Sequence, residues 1–265
     1  MFRLDGKVAL VTGGSGWLGA PMVSSLCQAG AHVVFLGRQL APLVQLKEDL
    51  DHQALSSEYF QADITNASDI AELAQYLTQK FGYLDIIVNN AHSSVTSKTG
   101  LDASPESFSE AVNGSVSPIW RIVTELMELL KKAVAINGDA SVINIASMYG
   151  SVSPDPALYE STSEPYNPPY YGSAKSGIIQ LTRWLAAHLG REHIRVNAIS
   201  PGPFPQWDKT ERAPDFTRAL SMKTALGRVG SRQEIGGAVV FLASAQASFI
   251  TGIDLPVDGG WTAFR

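Results

Sequence analysis

The sequence predicts a doubly wound α/β fold on a parallel sheet, and three observations carry that expectation. Short apolar runs rich in β-branched residues recur along the chain, segments with apolar residues three and four apart separate them, and no repeat or charge block interrupts the alternation. Strands alternating with helices must be joined by crossovers, which sets neighbouring strands parallel and covers both faces of one sheet with helices. The 265 residues, 45% of them hydrophobic, suffice for one large core, and residues 1–265 are read as a single domain.

Taken in order, the expected strands are KVALVT, HVVFL, EYFQA, LDIIVNN, SVINIAS, IRVNAIS and DLPVD, short and nearly continuous in apolar side chains as buried parallel strands are. The expected helices run over Leu18 to Ala29, Ala41 to Leu50, Ala67 to Phe81, Glu106 to Val134, Tyr171 to Gly190 and Arg232 to Ala243. Two proline-rich stretches break the rhythm, Gly150 to Pro169 and Gly202 to Pro214, and both follow expected strands. In an open α/β sheet the ligand sits beyond the carboxyl ends of the strands, so these stretches are read as pocket walls.

Composition narrows the function classes. A formal charge of −5 without a basic tract disfavours nucleic acid and anionic membrane surfaces as partners and favours a small-molecule substrate. The lone Cys27 can form neither an intrachain disulfide nor a metal cluster, which suits a reducing compartment. The N-terminus enters a strand almost at once, with no basic region leading into an apolar stretch and cleavage site, and the apolar runs fall far short of the ~18 residues of a membrane helix. A cytoplasmic enzyme with no metal is the expectation.

TGGSGWLG follows the first strand and opens the first helix, with Gly13, Gly16 and Gly19 three apart. A turn without side chains lets backbone N–H groups and the helix dipole meet a pyrophosphate, and a glycine at its end lets helix and strand pack closely. After the second strand the chain offers no acidic residue for the adenosine ribose. It offers Gly37 and Arg38, and an arginine there pairs with a 2′-phosphate, so NADP is favoured over NAD. Asp63, ending the third strand, is read either as an acceptor for the adenine amine or as a cap for the helix that follows.

In NPPYYGSAK, helical rotation of about 100° per residue puts Lys175 about 40° round from Tyr171 and roughly 140° from Tyr170. Only Tyr171 shares a face with the lysine.

With the glycine turn, NNA at Asn89 to Ala91, Asn113, Ser147 and the Tyr171/Lys175 pair in order, the sequence resembles the short-chain dehydrogenase/reductase family over essentially its whole length. The resemblance extends to ISPGP at Ile199 to Pro203 and PVDGG at Pro256 to Gly260, and within the family MYG, PGPFP and VDGGWTA look most like gluconate 5-dehydrogenases and oxidoreductases of surface-sugar modification. It implies a seven-stranded sheet in a homotetramer or homodimer, and hydride transfer between a nicotinamide and a secondary alcohol or ketone. Tyr171 would be the acid/base, its phenolate favoured by the Lys175 ammonium and by an oxidised nicotinamide. Ser147 would hold the substrate oxygen, Lys175 would also grip the nicotinamide ribose, and Asn113 would anchor a relay water.

The same resemblance implies a coenzyme site of Gly13, Ser15, Gly16, Trp17, Leu18 and Gly19 in the turn, with Arg38, Asp63 and Ile64 on the adenosine side. Asn90 and Ala91, Tyr171 and Lys175, and Pro201, Gly202 and Phe204 would complete it. His92, Ser147, Met148, Tyr149 and Trp207 are expected to meet substrate.

Three departures stand out: Trp17 replaces a family glycine, giving the spacing of the extended branch that includes epimerases and dehydratases; His92 replaces another; and the Ser147 to Tyr171 interval is longer than usual. The polar residues of that longer interval suggest a sugar, sugar acid or polyol. An epimerase or dehydratase without net redox and a cofactor-sensing protein without catalysis are the alternatives.

Overall fold

The computed structural model describes residues 2–92, 103–162, 167–206 and 213–264. Seven strands form one sheet in the order β3-β2-β1-β4-β5-β6-β7, and every pairing is parallel. They are β1 (Val8–Thr12), β2 (His32–Gly37), β3 (Ser57–Gln61), β4 (Ile86–Asn89), β5 (Ala140–Ile145), β6 (Ile194–Pro201) and β7 (Asp254–Val257). Pro256, which cannot donate to a ladder, is accommodated because β7 is an edge strand.

Strand side chains alternate between two cores. Ala9, Val11, Val33 and Phe35 face the side covered by α1 (Gly19–Gln28), α2 (Leu40–Asp51) and α10 (Glu234–Ala243). Val8, Leu10, Val34 and Leu36 face the side covered by α3 (Ala67–Lys80), α5 (Ser117–Glu125), α6 (Met127–Asn137) and α8 (Pro169–Leu189). With both faces buried, β1, β5 and β6 have no exposed position, which is why they read as unbroken apolar runs.

The helix expected over Glu106 to Val134 is three: α4 (Pro105–Ser115), α5 and α6. Pro118 ends the first, since it lacks an N–H and its ring would clash with the preceding turn of a continuous helix. The stretch Gly150 to Pro169, expected to be irregular, contains α7 (Pro156–Thr162), and α9 (Pro214–Met222) follows the second irregular stretch. Both begin on a proline, whose fixed φ suits a first helical turn.

Strand order reverses between β1 and β4, because Leu10 pairs with Val34 on one side and Ile87 on the other. A crevice therefore opens at the carboxyl ends of these strands, where the glycine turn and Asn90 emerge.

Candidate active site

The glycine turn is built by its missing side chains. Gly13 has φ +62°, a left-handed conformation that side chains resist, and a Cβ there would stand 3.0 Å from the Ala91 Cα. Asn90 braces the turn by donating its Nδ2 to the carbonyls of Thr12 and Gly13, each at 3.0 Å. The Thr12 hydroxyl accepts in return from the backbone N–H groups of Asn90 at 3.0 Å and Ala91 at 2.9 Å. Leu18, at the N-cap of α1, provides no capping side chain, and the Ala20 N–H turns back to the Gly16 carbonyl at 3.0 Å, so the turn and the start of the helix form one continuous backbone surface. These features fit the pyrophosphate of a dinucleotide.

A cleft of about 640 Å³ runs from this turn along the carboxyl ends of the strands. Gly13, Ser15, Gly16, Trp17 and Leu18 line it, whereas Gly19 does not; its role is to let α1 pass close to Gly14, whose Cα a Cβ would meet at 2.9 Å. At one end the exposed Arg38 stands with Asp63 and Ile64. Asp63 Oδ1 accepts from the N–H of Thr65 at 2.9 Å and its hydroxyl at 2.7 Å. Burial works against ionisation of Asp63, but these two bonds and the charge of Arg38 outweigh it and hold the carboxyl below its ordinary value. Asp63 does not cap α3: Asn66 does, accepting from Ser68 N at 3.0 Å. Thr65 and Gln206 also line the cleft and carried no motif that singles them out.

At the other end the cleft wall brings together Ser147, Tyr171 and Lys175, with Asn90, Ala91, Pro201, Gly202 and Phe204 between the two ends. Ser147 comes from the end of β5 and the other two from α8. Close approach of backbone sets this up. A Cβ on Gly172 would stand 2.8 Å from the Tyr149 carbonyl oxygen, and one on Gly150 would stand 3.0 Å from the Lys175 carbonyl carbon, so the short turn Met148–Gly150 lies pressed on α8. A buried chain of side-chain bonds fixes α8 to the sheet as well: Asn89 Nδ2 donates to Asn144 Oδ1 at 2.8 Å, and Asn144 Nδ2 donates to Thr182 Oγ1 at 2.9 Å.

Lys175 is 4% exposed, and its Nζ donates to the Ile145 carbonyl at 3.0 Å. Burial pulls its pKa down to about 8. The Tyr171 phenol departs from the expectation of a lysine-acidified group. Burial holds it above its ordinary value, the hydrogen bond with Ser147 works against that rise, and Tyr159 adds to it. The physical reason is that Lys175 is turned onto Ile145, with its Nζ 5.7 Å from the Tyr171 ring centroid. Ionisation of the phenol is therefore disfavoured by its surroundings.

His92 lines the cleft, with its ring 6.5 Å from that of Tyr171. Met148 and Tyr149 do not line it. They are buried in an aromatic cluster with Tyr159 and Trp261, where the Tyr149 and Tyr159 hydroxyls bond at 2.9 Å. Tyr170 is likewise turned away, edge-on to Phe108. Asn113 is exposed on α4 and outside the cleft lining. Trp207 lies outside the described residues, as do Ser163 and Glu164 of the longer interval. In that interval Asp155 is tied to Lys223 at 2.5 Å and Ser153 to the Pro154 carbonyl at 3.2 Å, while Leu158 and Tyr159 are buried.

Residues 16–262 match the family model described as enoyl-(acyl carrier protein) reductase. The chain belongs to the short-chain dehydrogenase/reductase family. It is 30% identical to L-fucose dehydrogenase of Rattus norvegicus over 97% of this chain and 90% of that one. It is 32% identical to the rhamnolipids biosynthesis 3-oxoacyl-[acyl-carrier-protein] reductase of Pseudomonas aeruginosa over 98% of each. A gluconate 5-dehydrogenase from Burkholderia cenocepacia, solved with NADP and tartrate, superimposes with a TM-score of 0.84 at 26% identity, covering 100% of this chain and 98% of that one.

As a short-chain dehydrogenase/reductase the protein is an NAD(P)-dependent oxidoreductase that acts on CH–OH groups of small molecules. None of its helices, among the described residues, is long and apolar enough to cross a membrane, and no cluster of His, Cys, Asp or Glu there could hold a metal.

Proposed function

We propose that the protein interconverts a secondary alcohol and its ketone on a sugar, sugar acid or polyol, with Tyr171 as the acid/base and NADP as the preferred coenzyme. The convergence of Ser147, Tyr171 and Lys175 on one cleft that the glycine turn and Arg38 also line carries this reading. When bound, the nicotinamide supplies or accepts the hydride. In the reducing direction the Tyr171 phenol gives its proton to the oxygen that gains negative charge, and Ser147 donates a hydrogen bond to the same oxygen. Burial, which keeps the phenol protonated, suits that step. Lys175, on the same face of α8 as Tyr171 and fixed by the Ile145 carbonyl, is proposed to grip the nicotinamide ribose.

Arg38 supports NADP, as the exposed guanidinium at the adenosine end of the cleft and the natural partner of a 2′-phosphate. L-fucose dehydrogenase and gluconate 5-dehydrogenase among the relatives support a sugar substrate. The 3-oxoacyl reductase supports a second reading, reduction of a 3-oxoacyl thioester at the same three residues. Asn113, exposed on α4, is proposed to anchor a water that relays the proton. The apolar stripe Ile178, Leu181, Leu185 and Leu189 of α8 packs into the core, and exposed Phe108, Val112, Trp120 and Trp184 are among the apolar side chains open to a homodimer or homotetramer.

The test is nicotinamide absorbance with NADPH or NADP, and separately NADH or NAD, against L-fucose, gluconate, other polyols and their ketones, and a 3-oxoacyl thioester. Coenzyme turnover with a sugar or polyol pair supports the main reading. Turnover with the thioester alone replaces it with the second.

A further inference from the structure

Trp17 stands where the glycine turn would be expected to carry no side chain, and the indole is held in two directions. Its Nε1 donates to the Phe204 carbonyl at 2.9 Å, across 187 residues of sequence. The Arg232 guanidinium covers its ring, with Cζ 4.7 Å from the centroid. Phe204 in turn is anchored from behind: the Gly230 N–H donates to the Pro203 carbonyl at 2.9 Å, and Gly230 packs so tightly on the Phe204 ring that a Cβ there would collide with it.

Three segments thus meet at the coenzyme cleft: the turn between β1 and α1, the stretch after β6, and the stretch before α10. Trp17 and Phe204 both line the cleft, so the bond between them joins wall to wall. For those walls to part, the indole must give up its hydrogen bond and slide under the guanidinium. Both interactions are partly shielded from water, where hydrogen bonds and cation–π contacts weigh more than at an open surface.

We propose that Trp17 is a clasp on the dinucleotide: by bridging to Phe204 and Arg232 it sets how slowly the coenzyme leaves. This rests on the dinucleotide reading of the cleft. The clasp acts on the walls and not on the reacting atoms, so its signature is a dissociation rate. Phenylalanine at 17 keeps a ring for Arg232 but has no N–H, and Arg232→Gln keeps the indole bond but removes the cation.

The test is stopped-flow displacement of bound NADPH, followed by its fluorescence, in wild type, Trp17→Phe and Arg232→Gln. Thermal melts of each variant check that it is folded. Loss of the bond raises the dissociation rate of Trp17→Phe roughly 5- to 10-fold. Arg232→Gln raises it roughly 2- to 5-fold. Wild type that holds NADPH while Trp17→Phe releases it at the same rate, or more slowly, overturns the clasp and leaves the dinucleotide reading intact. Wild type that binds neither NADPH nor NADH removes both.

Discussion

Lys175 Nζ lies 5.7 Å from the centroid of the Tyr171 ring, one helical turn along the same face of α8. The pair is the centre of the site, and its two members have opposite electrostatic problems. Burial makes the phenol harder to ionise and the ammonium easier to discharge. Both groups are therefore pushed towards their neutral forms by the same dry surroundings.

The lysine has a cost that can be measured. Burial holds its pKa at about 8 in the folded chain, against 10.5 for an ordinary lysine. Below pH 8 both states are protonated and the folded state bears the full penalty, a shift worth roughly 3 kcal/mol. As pH rises from 8 towards 9 the unfolded chain holds more protons at Lys175, so stability increases; above 9 the Cys27 thiol, which burial raises to about 12, and then the raised Tyr171 pKa work against the trend. Lys175→Met keeps the stem and drops the charge. Urea unfolding at pH 7 is expected to show the variant about 1–3 kcal/mol more stable than wild type. The rise in stability from pH 8 is expected to vanish, leaving the fall above pH 9 that the buried Cys27 thiol causes, and turnover is expected to fall steeply.

The proposed preference for NADP rests on Arg38. Replacing it with alanine removes the cation facing the adenosine end of the cleft and nothing buried. Titration of coenzyme fluorescence is expected to show NADPH binding weakened roughly 10- to 100-fold, with NADH nearly unchanged. Equal weakening of the two would remove the reason to prefer NADP.

Gly172 supplies a case where local propensity and packing disagree. In a helix, glycine to alanine ordinarily gains up to about 1 kcal/mol. Here the new Cβ would stand 2.8 Å from the Tyr149 carbonyl oxygen and push the turn that carries Ser147 off α8. Gly172→Ala is expected to lower stability by about 1–3 kcal/mol in urea. Its turnover number should fall more than its coenzyme affinity, since the displaced group is Ser147 and not the glycine turn.

Much of this was legible in the sequence. Buried parallel strands must be apolar throughout, so the seven runs marked the seven strands, and the tight turn at Gly13 could be read because only glycine takes φ +62° comfortably next to Ala91. Helical rotation alone separated Tyr171 from Tyr170. Other features were hidden for physical reasons. Apolar periodicity carries across Pro118, which is why three helices read as one. The Gly150 to Pro169 stretch looked like a loop because of its prolines, although Asp155, which accepts from Ala157 N at 3.1 Å, and Pro156 together signal a helix start. A motif such as MYG says which residues follow Ser147 but not which way they point, so Met148 and Tyr149 were expected in the cleft and stand outside it. The bond from Trp17 to Phe204 joins residues too far apart in sequence for any local pattern to register.

The most direct test of the central claim is turnover of Tyr171→Phe, measured with NADPH and whichever ketone proves active on the wild-type enzyme. The substitution removes one oxygen and keeps the ring beside Lys175 and His92. The account predicts NADPH binding within about twofold of wild type and a turnover number lower by roughly 100-fold or more. Tyr171→Phe that binds NADPH and turns over at the wild-type rate would contradict it.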